Sequence, residues 1–257
     1  MAEVGTGLFL GDNKIQLIQN NNFVFANPFY AEDPSPLPAI DETNILRWYD
    51  AEYNANGTTW TDNTGTQDAT VQGNVTYDNT ASPFYYDFIG GSGTNGIGHS
   101  ATSDMSVSGM TIQMWVKHST SSNVQYCVAS QRSGTGTSNV RYSLHLNPQN
   151  NTVGIYNGQN FSTVSGATQN SGTWYFFEML MTTSQTTVYQ NGSLVGTISR
   201  GLTTGAGNQP FGIGTPNYNL STFSGEFFKG DIAMCLVYDS SSRPTGNWDA
   251  TKARFGY

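Results

Sequence analysis

From residue 41 to the end of the chain, apolar residues recur mostly with a period of two, and no stretch carries a convincing helical period. Residues 248–255 have room for at most two helical turns. Residues 111–118 (TIQMWVKH) alternate, with Ile112, Met114 and Val116 on one face. Residues 141–146 alternate as well, and 152–156 form a short β-prone run. Residues 173–181 (TWYFFEMLM) are more continuously apolar, as expected of a strand buried on both faces. Between the β-prone runs 186–190 and 193–198 stands Asn191-Gly192, the strongest hairpin signal in the chain, because both residue types tolerate positive φ. Runs 211–214 and 231–238 complete the set. Many short strands joined by Gly- and Asn-rich turns predict an all-β sandwich or barrel.

Composition narrows the function classes. Only 11% of the 257 residues are charged, and the net charge is −8. Asn, Ser and Thr make up roughly a third of the chain. The predicted surface is therefore neutral and polar, around a core supplied by 14 Tyr, 14 Phe and 5 Trp. Ten scattered basic residues cannot line a phosphate backbone, which argues against a nucleic-acid partner. No run of about 18 apolar residues exists, so membrane insertion is not expected. Residues 1–14 show neither a basic n-region nor a long apolar h-region, so no signal peptide is expected. Cys127 and Cys235 sit in apolar runs and read as two buried free thiols, in keeping with a reducing compartment.

Residues 1–40 differ from the rest. Residues 7–11 and 15–19 flank Asp12-Asn13-Lys14 as a short hairpin, and 23–25 add one more apolar stretch after Asn20-Asn21-Asn22. Residues 33–38 (DPSPLP) then favour a stiff, extended connector. The predicted organisation is an N-terminal attachment arm and linker over 1–40, followed by one domain over 41–257. The arm carries Leu8, Phe9, Leu10, Ile15, Leu17, Phe23, Phe25 and Phe29, too few apolar residues for an independent core. They are the expected partner-binding residues, docking by added strands or apolar anchors.

The order of motifs in 41–257 carries a resemblance. Residues 45–51 (ILRWYDA) and 57–62 (GTTWTD) come first. Residues 88–90 (FIG), 111–117 (TIQMWVK), Trp174-Tyr175, 188–192 (VYQNG) and 194–196 (LVG) follow. Residues 227–233 (FFKGDIA), 236–239 (LVYD) and 247–256 close the chain. Together they resemble the concanavalin A-like, laminin-G-like domains common in phage structural proteins. The resemblance implies a two-sheet antiparallel jelly roll. It also implies a virion protein made in the host cytoplasm, such as a capsid decoration, head-fibre or tail-associated protein, with capsid or tail proteins as partners and a homo-oligomeric state expected. The same fold serves lectins and glycanases, so it does not define the function. Two departures stand out. Ile89 replaces the aspartate of the family's Phe-Asp-Gly turn, which often helps to bind calcium. Residues 240–246 (SSSRPTG) replace much of the helix that usually follows the last strand, so a shortened or lost helix is expected.

Candidate sites follow from residue chemistry. Glycanases need two carboxylates across the scissile bond. Asp50 and Glu52 alone have suitable spacing near an apolar strand, and Glu178 stands by itself, so the expectation is a non-enzyme. His99, His118 and His145 match no metal or nucleophile motif and are expected at the surface or on edge strands. No cofactor is expected; calcium is the one candidate, with Asp231 and Asp50 as ligands. A host glycan is the other candidate partner. Sugar sites pair an aromatic ring with neutral amides, which singles out Tyr156, Asn157 and Asn160, and Tyr218 in a second loop.

Overall fold

The computed structural model describes residues 8–11, 14–19, 22–25, 39–90, 95–120, 124–206, 208–216 and 226–257, the first three segments by backbone alone. The chain divides into two units, Met1–Pro38 and Ala39–Tyr257. In the first, strands Leu8–Gly11, Lys14–Gln19 and Asn22–Phe25 form an antiparallel sheet in chain order. Phe9 lies opposite Gln16, and Ile18 opposite Phe23. The side chains of Leu8, Phe9, Leu10, Ile15, Leu17, Phe23 and Phe25, and all of Phe29, lie outside the described residues.

The second unit is an antiparallel sandwich of two eight-stranded sheets. In the first sheet the order is Ser193–Ile198, Thr186–Gln190, Trp174–Met181, Met110–His118, Lys229–Tyr238, Tyr85–Ile89 and Val75–Asp78, with Ile45–Asp50 also paired to Lys229–Tyr238. The second runs Phe161–Ser165, Thr152–Tyr156, Val140–Asn147, Tyr126–Arg132, Phe211–Ile213, Gly96–His99, Ala69–Gln72 and Thr59–Trp60. Asn191 and Gly192 take φ of 49° and 79°, the positive values a tight hairpin turn requires.

Alternation decides what each sheet buries. Ile112, Met114 and Val116 join Phe177, Met179 and Cys235 on the inner face of the first sheet, against Tyr142, Leu144, Leu146, Val153 and Ile155 of the second. The opposite face of the first sheet is also covered. Trp115, Phe176, Met234, Leu236 and Tyr238 form a second cluster with Trp48 and Phe255. Its lid is the helix Asn247–Thr251 and the 3-10 turn Lys252–Phe255, which is the shortened C-terminal helix expected from the sequence. Phe255 stacks on Trp115 at 3.9 Å between ring centroids, and Trp115 Nε1–H donates to Thr251 Oγ1 at 2.8 Å. This double burial is the reason residues 174–181 read as continuously apolar.

The histidines correct an expectation. His99, His118 and His145 are all buried, none at the surface. His118 continues the inward Ile112–Val116 face and meets Gln169 Oε1 at 3.1 Å. His99 lies on an inner strand of the second sheet and packs on Phe211. His145 lies on the outer face of the second sheet. His99 and His118 thus lie on inward faces among apolar residues, and only His145 is on an outer face, where the Phe161 ring meets it. Cys127 and Cys235 are buried free thiols, as expected.

Candidate functional site

Glycan cleavage by paired carboxylates needs a free pair. Four are buried: Asp50, Asp62, Glu178 and Asp231. Each has a cation. Asp50 Oδ2 accepts from Arg254 at 3.0 Å, and Glu52 shares the same guanidinium at 3.2 Å. The sequence's one suitably spaced acid pair is thus bridged by a C-terminal arginine. Glu178 holds Arg243 through both oxygens, at 2.6 and 3.2 Å, and also accepts from Gln113. Asp62 lies 3.9 Å from Arg47 and accepts the backbone N–H groups of Trp48, Thr64 and Gln67, so the aspartate of the Thr-Trp-x-Asp motif ties the opening loop together.

Asp231, the first candidate calcium ligand, meets Lys117 Nζ at 2.6 Å. That ammonium also lies over the Tyr85 and Trp174 rings. Burial pushes the Asp50 and Asp231 carboxyls upward, while their arginine and lysine partners pull them down. Among the described residues no three His, Cys, Asp or Glu side chains gather where they could hold a metal ion. At both Asp50 and Asp231 a protein cation stands on one carboxylate oxygen.

The second cluster lies on the outer face of the second sheet. Because Tyr142, Leu144 and Leu146 point into the core, Arg141, Ser143, His145 and Asn147 point the other way. Ser143 Oγ lies 2.8 Å from His145 Nε2 and 3.3 Å from Cys127 Sγ, while His145 Nδ1 faces Gln125 O at 3.4 Å. The i, i+2 spacing of Ser143 and His145 carried this signal, but the sequence reading did not use it. A nucleophile and a base are adjacent here, but both are buried and the base leans on a backbone carbonyl instead of a carboxylate. Burial lowers the His145 pKa to about 4 and raises the Cys127 thiol to about 12, which removes general-base and thiolate character near neutrality.

Tyr156 sits on the neighbouring strand opposite Ser143. Arg132 stacks over its ring at 5.1 Å. From Tyr156 the chain turns through Asn157 and Asn160 to Phe161, whose exposed ring meets His145 edge-on at 5.2 Å. That ring covers Gly154, where a Cβ would lie 2.3 Å from it, so any side chain there would push the ring aside. Asn157 Oδ1 accepts from Arg200 at 3.2 Å, and Asn157 O accepts from Thr203. The structure therefore brings Tyr156, Asn157 and Asn160 into one turn, with Phe161 of the same segment beside them. Tyr218 lies outside the described residues.

Two antiparallel sheets, packed with the inner-face alternation above and edged by amide-rich loops, define a lectin- or glucanase-type β-sandwich. The chain belongs to the laminin-G-like family of the concanavalin A-like lectin/glucanases superfamily, which matches residues 90–245. No curated protein matches it. Solved structures share the fold at low identity. Trypanosoma rangeli sialidase in complex with sialic acid is 14% identical with a TM-score of 0.60, over 95% of this chain and 43% of that one. Domain 4 of AbnA, a Geobacillus stearothermophilus extracellular arabinanase, in complex with arabinotriose, is 14% identical with a TM-score of 0.58, over 82% of this chain and 98% of that domain. The binding domain of botulinum neurotoxin DC, in complex with rat synaptotagmin II, is 15% identical with a TM-score of 0.56, over 82% of this chain and 51% of that one. The chain thus spans less than half of the sialidase and about half of the toxin fragment.

Proposed function

We propose that this chain is a non-catalytic, carbohydrate-binding module displayed on a phage virion. The observation that carries the binding part is the turn 156–161, where half-buried Tyr156 and exposed Phe161 flank two neutral amides. Aromatic rings cover the apolar face of a sugar, and amides meet its hydroxyls. The non-catalytic part is supported by the ion pairs: every buried carboxylate among the described residues already has a cation beside it. Structures of the same fold in complex with sialic acid and with arabinotriose make a glycan partner reasonable for this one. The test is a glycan array followed by titration calorimetry. Tyr156→Ala should weaken the best array hit at least tenfold, about 1.4 kcal/mol, with an unchanged melting temperature. Absence of binding to any glycan, with and without calcium, would remove the reading.

The virion part is supported by the family resemblance and by the separate N-terminal unit with its own three-stranded sheet. An attachment segment and a displayed body divide the work in that way. Deleting residues 1–38 should abolish incorporation into particles and leave the melting transition of the sandwich in place. A truncated protein that joins particles at full copy number would exclude attachment through this unit.

A further inference from the structure

Asp50, Asp62 and Glu178 are each held by an arginine, whose guanidinium stays protonated and is no nucleophile. Asp231 is held by a lysine. A lysine amine becomes a nucleophile once it gives up its proton in a partly desolvated site. The Lys117–Asp231 pair therefore has a chemistry open to it that the arginine pairs lack.

Strand register builds its surroundings. Trp174, Lys117, Asp231 and Asp87 are direct cross-strand partners on four adjacent strands of the first sheet. Val116, Ile232 and Tyr86 point into the core, so this row lies on the outer face. Direct partners have Cβ atoms about 4.5–5.5 Å apart, which places the Asp87 carboxyl within side-chain reach of the Lys117–Asp231 contact. Lys117 Nζ is 2.6 Å from Asp231 Oδ2, and the two side chains are only 24% and 12% exposed. That length puts the nitrogen about 3–3.5 Å from the carboxyl carbon, the separation of a near-attack conformer. The Tyr85 and Trp174 rings lie over the ammonium at 4.8 and 4.9 Å, and Trp174 packs edge-on against Phe255 of the C-terminal lid. Burial raises the Asp231 and Asp87 carboxyls against the pull of Lys117, and the nearby carboxylates raise them further. Such surroundings favour moving a proton from the ammonium to Asp231, which leaves a neutral amine facing a neutral acid.

We propose that Lys117 Nζ and Asp231 Cγ condense into an isopeptide cross-link between strands Met110–His118 and Lys229–Tyr238, with Asp87 relaying the proton. The neutral amine attacks Cγ and the N–C bond forms. Asp87 takes the proton that the nitrogen sheds and returns it to the Asp231 hydroxyl. The C–O bond then breaks, water leaves, and Asp87 is again a carboxylate. Free amines and acids do not condense in water, but well-oriented groups reach effective concentrations on the order of 10⁵ M or more, and exclusion of water holds the product. The link ties two central strands that are far apart in the chain, which lowers the freedom of the unfolded state. Lys252 and Asp249 meet at 2.5 Å with 39% and 70% exposure, so this pair stays in water and remains ionic.

The experiment measures the intact mass of the full chain after denaturation and maps its tryptic peptides. The native chain should be lighter than its sequence by one water. Trypsin should spare the bond after Lys117, and the peptide holding Lys117 should be joined to the one holding Asp231. Lys117→Arg, which keeps the charge, should have its full sequence mass and unfold at a lower temperature. In freshly made protein Asp87→Asn should slow the loss of water by at least about tenfold, the lower end of what a positioned proton carrier supplies. A folded native chain that keeps its full mass after prolonged incubation overturns the proposal, and that readout depends on no variant. A join from Lys117 to Asp87 overturns the assignment of Asp231. An unchanged rate in Asp87→Asn overturns the relay, and a join between Lys252 and Asp249 overturns the argument from burial.

Discussion

Trp115→Ala should destabilise the sandwich by about 3–5 kcal/mol, the range for deleting a large buried aromatic side chain. Trp115 is fully buried, stacked on Phe255 at 3.9 Å, in contact with Phe176 and Trp248, and bonded through Nε1–H to Thr251. It is the point where the C-terminal helix meets the first sheet. Deleting it leaves a cavity and removes the anchor of that helix together. For a domain of this size each kcal/mol shifts the melting temperature by roughly 2–4 °C, so the midpoint should fall by about 6–20 °C. Hydrogen exchange should show protection lost first across 247–255. A loss below about 1 kcal/mol in denaturant titration would mean that the C-terminal segment does not depend on Trp115.

The second large effect is on acid stability. His118 and His145 are buried neutral, and burial lowers both pKa values to about 4 from an unfolded value near 6.5. As pH falls below 6.5 the unfolded chain takes up protons that the folded chain does not, so unfolding becomes easier. By pH 5 each histidine removes about 2 kcal/mol, and the loss levels off once the folded form protonates near pH 4. Asp50 and Asp231 work in the opposite direction, because their folded pKa values are raised and protonation favours the folded state. The window from pH 7 to pH 5 begins above the ordinary histidine value and is where the histidine loss is read. Urea titrations should show stability falling by several kcal/mol across it. A His118→Gln/His145→Gln double variant should remove most of that slope and leave the part due to His99, whose pKa burial also lowers. Equal stability of the native chain at pH 7 and pH 5 would contradict the buried neutral state of both rings.

Strands and inner core were legible because they depend on local alternation. Ile112, Met114 and Val116 point where their spacing places them, and Asn191-Gly192 turns as its two residues allow. The candidate site was legible in part. Tyr156, Asn157 and Asn160 share a turn because they are close in the chain. The ring of Phe161, next in the chain to Asn160, meets Gly154 and His145 only because its strand folds back beside theirs. The histidines were misplaced because a polar side chain does not mark a strand's outer face: His99 and His118 share the inward faces of Ile97 and Val116, and only His145 lies on an outer face.

What the sequence determined by itself is the class of fold and the sorting of side chains onto inner and outer faces, since both follow from the two-residue repeat of a strand. Tertiary structure alone decided the charges. Arg254 reaches Asp50 and Glu52 from the far end of the chain, and Arg243 of the C-terminal segment reaches Glu178. Ion pairing depends on distances of a few ångströms between residues far apart in the chain, and no local pattern encodes those distances.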